Sequence, residues 1–195
     1  MRVAFSGAHA TGKSTLIAEL ARRLPEYGVV EESYQTLLAE GHAFPATPTL
    51  DDFELMLDRS CATLSAATSP HLLLDRCPAD YLGYLFGGEG ATAPNLRDAM
   101  TRVAAAMTRL DLVVFVPIEH PDRISRSAIG LPRLRRRVDD ALGEILLGGS
   151  WGLRTPAIAV SGSVDERVEQ VLLLIRRPSA RNERGANAGP NAGLP

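Results

Sequence analysis

Apolar and polar positions follow two alternating patterns along most of the chain. Continuous apolar runs alternate with stretches in which apolar residues recur every three or four positions. The first pattern is typical of strands buried on both faces, and the second of helices with one buried face. The runs predict five strands, near 2–6, 28–31, 71–75, 111–116 and 156–160. The amphipathic stretches predict seven helices, near 13–24, 33–41, 51–68, 79–86, 95–109, 134–147 and 164–176.

This alternation predicts an α/β fold in three layers, with a five-stranded, mostly parallel sheet and helices on both faces. A chain of 195 residues has room for one such domain and is too short for two ordinary ones. We assign the domain to residues 1–177. Residues 178–195 are rich in Pro, Gly, Asn and Ala without apolar periodicity, so we expect a disordered tail.

Composition narrows the class of protein. The net charge is −2, the pI is near 6.1 and 45% of residues are hydrophobic, which argues against a nucleic-acid binder. No opening segment resembles a signal peptide, and the apolar runs are too short to span a bilayer. We therefore expect a cytoplasmic protein with neither a membrane nor a nucleic-acid partner. Its oligomeric state is left open, a homodimer included.

The first predicted strand ends in the pattern G-x-x-x-x-G-K-S. Its lysine, Lys13, is the only lysine among 21 basic residues. A compact ammonium on a flexible stem reaches between phosphates where a planar guanidinium needs more room. Strand, glycine-rich turn and helix together form the setting in which loop N–H groups and a helix N-terminus surround an anion. We therefore expect a phosphate-binding loop, formed by Gly7, Ala8, His9, Ala10, Thr11, Gly12, Lys13, Ser14 and Thr15.

An acid close to such a loop is needed to place magnesium. Asp75 ends the apolar strand that contains residues 72–74, and it would emerge at the carboxyl edge of the sheet, where ligands bind. We predict that Asp75 and the Ser14 hydroxyl hold Mg²⁺. The alternative is that Asp75 is a strand-end cap.

These motifs occur in an order that resembles small P-loop kinases of the deoxynucleoside kinase and thymidylate kinase type. The similarity is closer still to the AAA domains related to the nicotinamide riboside kinase domain. It covers residues 1–176 in element order and implies a P-loop NTPase fold with ATP and Mg²⁺ as cofactors. It also implies that Glu32 or Glu31 activates an acceptor hydroxyl, and that Arg76 contacts substrate or phosphate. Ser33 and Tyr34 stand where these kinases have proline, so the choice between the two glutamates stays open.

The resemblance assigns two further segments. The arginine-rich stretch at about 118–137 resembles the lid of such kinases, with Arg126 and Arg133 as the preferred phosphate contacts and Arg136 or Arg137 next. We expect the remaining arginines on the surface or in ion pairs. Ser161 and Gly162 resemble the segment that flanks adenine, although a helix-capping role for this turn is equally compatible.

The acceptor side of the site is assigned by position alone. Aromatic residues that stack on a base would suit a nucleoside, and a charged residue could fix a polar edge or a sugar. The alternative for each residue is ordinary packing. The candidates for substrate binding are Tyr34, Phe53, Arg59, Asp80 and Tyr84.

The sequence therefore predicts an ATP-dependent phosphotransferase for a small, nucleoside-like acceptor. The alternatives are an ATP-hydrolysing regulatory switch, or a nucleotide-binding module with a protein partner. A GTPase is disfavoured because the usual guanine-reading motif needs a lysine beyond the loop. A ring-forming AAA motor is disfavoured because the chain has no room for its additional helical domain.

Overall fold

The computed structural model describes residues 1–88, 93–119, 121–122, 132–149 and 151–176. Within these ranges, all five predicted strands and all seven predicted helices are present, so the predicted fold class is confirmed. The strands are β1 (Arg2–Ser6), β2 (Gly28–Val30), β3 (Leu72–Asp75), β4 (Leu112–Phe115) and β5 (Ala157–Ala159). The helices are α1 (Lys13–Arg23), α2 (Ser33–Ala39), α3 (Leu50–Ala66), α4 (Pro78–Gly87), α5 (Ala93–Met107), α6 (Pro132–Leu147) and α7 (Val164–Ile175).

The strands form one sheet in the order β2-β3-β1-β4-β5, and every neighbouring pair is parallel. The sheet is therefore wholly rather than mostly parallel among the described strands. Phe5 of β1 lies opposite Asp75 of β3 and Val114 of β4. The segments that follow these three central strands consequently meet at one edge of the sheet, where ligands bind in such folds.

The two faces of the sheet carry separate apolar cores. Val3 and Phe5 point to the face covered by α1 and α7, where Leu16 and Val168 are buried. Ala4 points to the opposite face, covered mainly by α3 to α6. Because successive strand residues face opposite sides, the continuous apolar runs of the sequence supply both cores.

Two sequence predictions fall partly or wholly outside the described residues. These are the lid at about 118–137, of which only 118–119, 121–122 and 132–137 are described, and the tail at 178–195. Among the described helices, none has the length and apolar character needed to cross a membrane.

Candidate active site

The loop between β1 and α1 has a backbone conformation that its two glycines permit. Gly7 has φ 150° and Gly12 has φ 89°, both unfavourable for residues with a Cβ. At Gly7 an added Cβ would lie 2.4 Å from the Val116 carbonyl oxygen. The turn brings the N-terminus of α1, at Lys13, to the interior of the loop, which is the arrangement that binds anions.

Two buried arginines hold the carbonyl groups of this loop. Arg135 of α6 donates from Nε to the His9 oxygen and from Nη2 to the Ala10 oxygen, both at 2.8 Å. Arg167 of α7 donates from Nη1 to the Thr11 oxygen at 2.9 Å. Three consecutive carbonyls therefore accept bonds from guanidinium groups, which fixes the loop backbone and adds positive charge beside it.

Each of these arginines also pairs with an acid that follows β4. Arg135 lies 2.6 Å from Asp122, and Arg167 lies 2.9 Å from Glu119. Sequence reasoning left Arg135 among the remaining arginines, expected on the surface or in ion pairs, and missed Arg167. One signal was present, because residues 164, 167, 168 and 171 share a helix face that is otherwise apolar.

Lys13 is buried within the loop. The residue is only 5% exposed, and its Nζ donates to the Ala8 carbonyl at 2.7 Å. Burial, followed by repulsion from Arg76, lowers the pKa of Lys13 to about 7, while Asp80 and Asp75 oppose this shift. A polyanion bound in the loop would raise the pKa of Lys13, as Asp80 and Asp75 do, because nearby negative charge favours the ammonium form.

Ser14 and Asp75 meet beside the loop, as the sequence predicted for a metal site. The Ser14 hydroxyl donates to Asp75 Oδ2 at 2.7 Å. Burial raises the pKa of Asp75, against the Ser14 hydrogen bond and the charge of Lys13. Within the described ranges, no three or more acidic, histidine or cysteine side chains are grouped so that they could hold a metal ion by themselves. One hydroxyl and one carboxylate nevertheless fit Mg²⁺, which takes few protein oxygens and completes its shell with water and phosphate.

Arg76 connects the phosphate loop to Glu32. It follows β3 directly and has φ 74°, a strained value for a residue other than glycine. Its guanidinium donates to Glu32 at 2.5 Å, to the Gly7 carbonyl at 3.0 Å and to Asp80 at 3.2 Å. Its charge also lies over the ring of Tyr84, 5.4 Å from the centroid. Glu32 and the phosphate loop are therefore joined through one side chain.

Asp80, predicted as a substrate contact, has a different position. Its residue is 0% exposed, and its carboxylate accepts from the backbone N–H groups of Gly7 and Cys77, each at 3.0 Å. It also caps the start of α4. These bonds place Asp80 beneath the loop as a structural support, away from the cavity described next.

A cavity of about 440 Å³ opens between the loop, Glu32 and helices α3, α4 and α6. The rings of Phe53 and Tyr84 stack in its wall, with centroids 4.9 Å apart and an interplanar angle of 12°. Several substrate and catalytic candidates from the sequence share this cavity. They are Glu32, Tyr34, Phe53, Arg76 and Tyr84, joined by His9 of the loop, by Met56, Tyr81 and Leu134, and by residues 46–48.

Two other candidates do not line it. Arg59 is paired with Glu40 on the surface, and Glu31 is exposed. Glu32 is thus the glutamate of the pair that faces the cavity.

A second cavity, of about 190 Å³, lies on the other side of the loop. Gly162 lines it, whereas Ser161 does not and is exposed. The cavity is bounded by Ala10, Thr11, Gly12, Thr15, Pro117, Ile118, Glu119, Asp122, Arg135, Gly162, Ser163, Val164 and Arg167.

The two preferred lid arginines are only partly accounted for. Arg133 is exposed and lines a third cavity, of about 640 Å³, together with Arg137. Arg126 lies outside the described residues. Of the described arginines at the start of α6, Arg135 is the one bonded to the phosphate loop.

An all-parallel sheet with this loop after its central strand defines a P-loop NTPase fold. Residues 2–167 match the AAA domain family, and the chain belongs to that family. No curated protein is matched by the sequence.

Solved structures share the fold at low sequence identity. Deoxyadenosine kinase from M. mycoides with bound dATP has a TM-score of 0.59 and 13% identity, over 90% of this chain and 98% of that one. Thymidylate kinase from Ehrlichia chaffeensis has a TM-score of 0.59 and 16% identity, with the same coverage. NadR protein in complex with NAD and AMP-PNP has a TM-score of 0.63 and 16% identity, over 98% of this chain and 51% of that one. The kinase-like form of the P-loop fold is thereby shown.

Proposed function

We propose that the protein is an ATP-dependent phosphotransferase that acts on a hydroxyl group of a small organic acceptor. One observation carries the proposal: the cavity that contains Glu32 and Arg76 is also lined by His9 of the phosphate loop. A second substrate placed there would lie beside the phosphates of the first. Kinases need this adjacency, because their catalysis rests largely on positioning and charge.

The donor is ATP, with its phosphates in the loop and its base in the second cavity, of about 190 Å³, which we call the base cavity. The loop supplies the N-terminus of α1 and the Lys13 ammonium for the phosphates. Relatives of this fold bind similar ligands: the deoxyadenosine kinase holds dATP, and NadR holds AMP-PNP. Ser14 and Asp75 would hold Mg²⁺, which when bound offsets the negative charge of the phosphates.

The acceptor lies against the stacked rings of Phe53 and Tyr84, and a nucleoside-like planar group fits this wall. Its hydroxyl gives a proton to the Glu32 carboxylate while its oxygen bonds to the γ-phosphorus. The bond from that phosphorus to the β-phosphate oxygen breaks, and ADP leaves. Arg76 holds Glu32 through the 2.5 Å contact and so orients the base toward the transferring group.

The test uses Mg-ATP with a panel of nucleosides, nicotinamide riboside and simple sugars, followed by mass spectrometry for a phosphorylated product. For an acceptor that is phosphorylated, Glu32→Gln should lower kcat about 10²–10⁴-fold, because a general base is lost. The affinity for ATP should change little. Lys13→Ala should abolish transfer altogether.

Glu31→Gln is the matched control, since Glu31 is adjacent, of the same type and exposed. It should retain the wild-type rate. Full transfer by Glu32→Gln would remove Glu32 from the role of base. If ATP is consumed while no member of a broad panel gains phosphate, the regulatory-switch alternative replaces the kinase.

A further inference from the structure

A chain of buried polar contacts connects three loops around the base cavity. Arg167 donates from Nη1 to the Thr11 carbonyl at 2.9 Å, and its Nη2 forms an ion pair with Glu119 Oε1, also at 2.9 Å. The same Glu119 oxygen accepts the backbone N–H of Gly162 at 2.6 Å. We call the Arg167–Glu119 pair, with its bonds to Thr11 and Gly162, the donor tie. It links the phosphate loop, the segment after β4 and the turn after β5.

The donor tie follows the wall of the base cavity. Thr11, Glu119, Gly162 and Arg167 all line that cavity, and Gly12 and Thr15 line it where the phosphate loop enters α1. The proposed function places the base of a loop-bound nucleotide here, because this cavity borders the loop at Gly12 and Thr15. The distance between the phosphate site and the base site is therefore set by the segments that the tie connects.

The chemistry of the tie suits positioning better than stabilisation. Arg167 is only 8% exposed, and its Nε has no hydrogen-bond partner among the described residues. An unsatisfied buried donor destabilises the folded state, because it loses its bonds to water. A buried ion pair also gives little net stability, because desolvation offsets its attraction. The planar guanidinium does, however, hold two acceptors at a fixed separation, which an ammonium does not.

We propose that Arg167 and Glu119 are positioning residues that hold the base cavity in register with the phosphate loop, so that base and triphosphate bind together. This proposal rests on nucleotide binding at the loop, the donor half of the proposed function. It concerns residues that do not react. Their effect is on the affinity that the nucleoside part adds to the triphosphate.

The test compares the affinities of Mg-ATP and Mg-tripolyphosphate by calorimetry in wild type and Arg167→Lys. Lysine keeps the charge next to Glu119 but loses the two-acceptor geometry. We expect Arg167→Lys to weaken ATP about tenfold and tripolyphosphate no more than about threefold, since precise orientation is lost rather than charge. Glu119→Gln should show the same selective loss. It also serves as the second variant if Arg167→Lys folds poorly.

Arg23→Lys is the matched control. Arg23 also joins α1 to α7, by a 2.6 Å ion pair with Glu169, but it lies away from the loop on the surface. It should leave both affinities at wild-type values, with thermal unfolding measured for every variant. Equal losses of ATP and tripolyphosphate, or no loss, would overturn the proposal. So would a wild type that binds ATP no more tightly than tripolyphosphate.

The donor half and the whole function can fail separately. If no acceptor is phosphorylated but ATP affinity shows the selective loss, the donor tie stands and the kinase does not. If transfer occurs but the selective loss is absent, the kinase stands and the tie does not.

Discussion

Single residues of the phosphate loop are constrained by their backbone as much as by their side chains. Gly7 combines a positive φ with the close approach of the Val116 carbonyl. Gly12 has a positive φ but only ordinary contact, because a Cβ added there would lie 3.4 Å from Arg167 Nη1. The two glycines of one motif therefore meet different physical demands.

Substitution of Gly7 should show how much the close contact with Val116 adds to the cost of a positive φ. Gly7→Ala is expected to lower the free energy of unfolding by about 2–4 kcal/mol, because strain adds to a clash with backbone that cannot move aside. Gly41→Ala is the control, since Gly41 has φ 93° and nothing within 4 Å of the added methyl. It should cost only about 1 kcal/mol. Urea denaturation measures both, and equal losses would show that the contact with Val116 contributes nothing.

His9 provides a prediction about pH. Burial, with repulsion from Arg135, Arg76 and Lys13, lowers the pKa of His9 from 6.5 to about 4. Between pH 4 and 6.5 the unfolded chain therefore binds the proton more readily, and the contribution of His9 to stability rises with pH.

Comparison of wild type with His9→Gln isolates this effect, because the carboxylates titrate in both. The free energy of unfolding of wild type minus that of His9→Gln should increase from pH 4 to 6.5 and stay constant at higher pH. A total change of about 1–2 kcal/mol is expected, less than the full shift implies because the ring is partly exposed. Parallel denaturation curves over this window would contradict the lowered pKa of His9.

At the scale of elements, the predictions from the sequence are correct where a local pattern of residues determines a strand or helix. The strands at 2–6 and 72–75 and the helix at 13–23 arise from apolar runs and helical periodicity. A helix-capping role was also considered for the turn before α7, and there the Ser163 hydroxyl accepts the Glu166 N–H, in a capping box with the Glu166 carboxylate. Ser14 and Asp75, the residues proposed to hold Mg²⁺, lie within hydrogen-bond distance of each other because parallel neighbours β1 and β3 end at the same edge.

Long-range side-chain contacts could not be predicted from the sequence. Arg135 and Arg167 reach carbonyls more than 120 residues away, and no local pattern indicates which arginine of a cluster does so. Asp80 was assigned to substrate by its position after the strand-end acid. It lies in the first turn of α4, where its carboxylate accepts the Gly7 N–H beneath the loop. Arg59 lies on the same helix as Phe53, yet it pairs with Glu40 at the surface.

At the scale of the whole molecule, ligand binding at the loop should stabilise the entire domain. The loop is bonded to α4 through Asp80, to α6 through Arg135 and to α7 through Arg167, so its geometry exists only in the folded chain. A ligand bound to the folded state alone adds about 2.7 kcal/mol at 100 times its dissociation constant.

Mg-ATP should therefore raise the unfolding temperature of wild type by roughly 5–10 °C at such a concentration. Lys13→Ala should remove most of this shift, because the ammonium is the only lysine charge available to the phosphates. Without nucleotide it should unfold near the wild-type temperature, since burial already disfavours the charge of Lys13. Differential scanning calorimetry with and without Mg-ATP distinguishes the two effects. An undiminished shift in Lys13→Ala would place the nucleotide somewhere other than this loop.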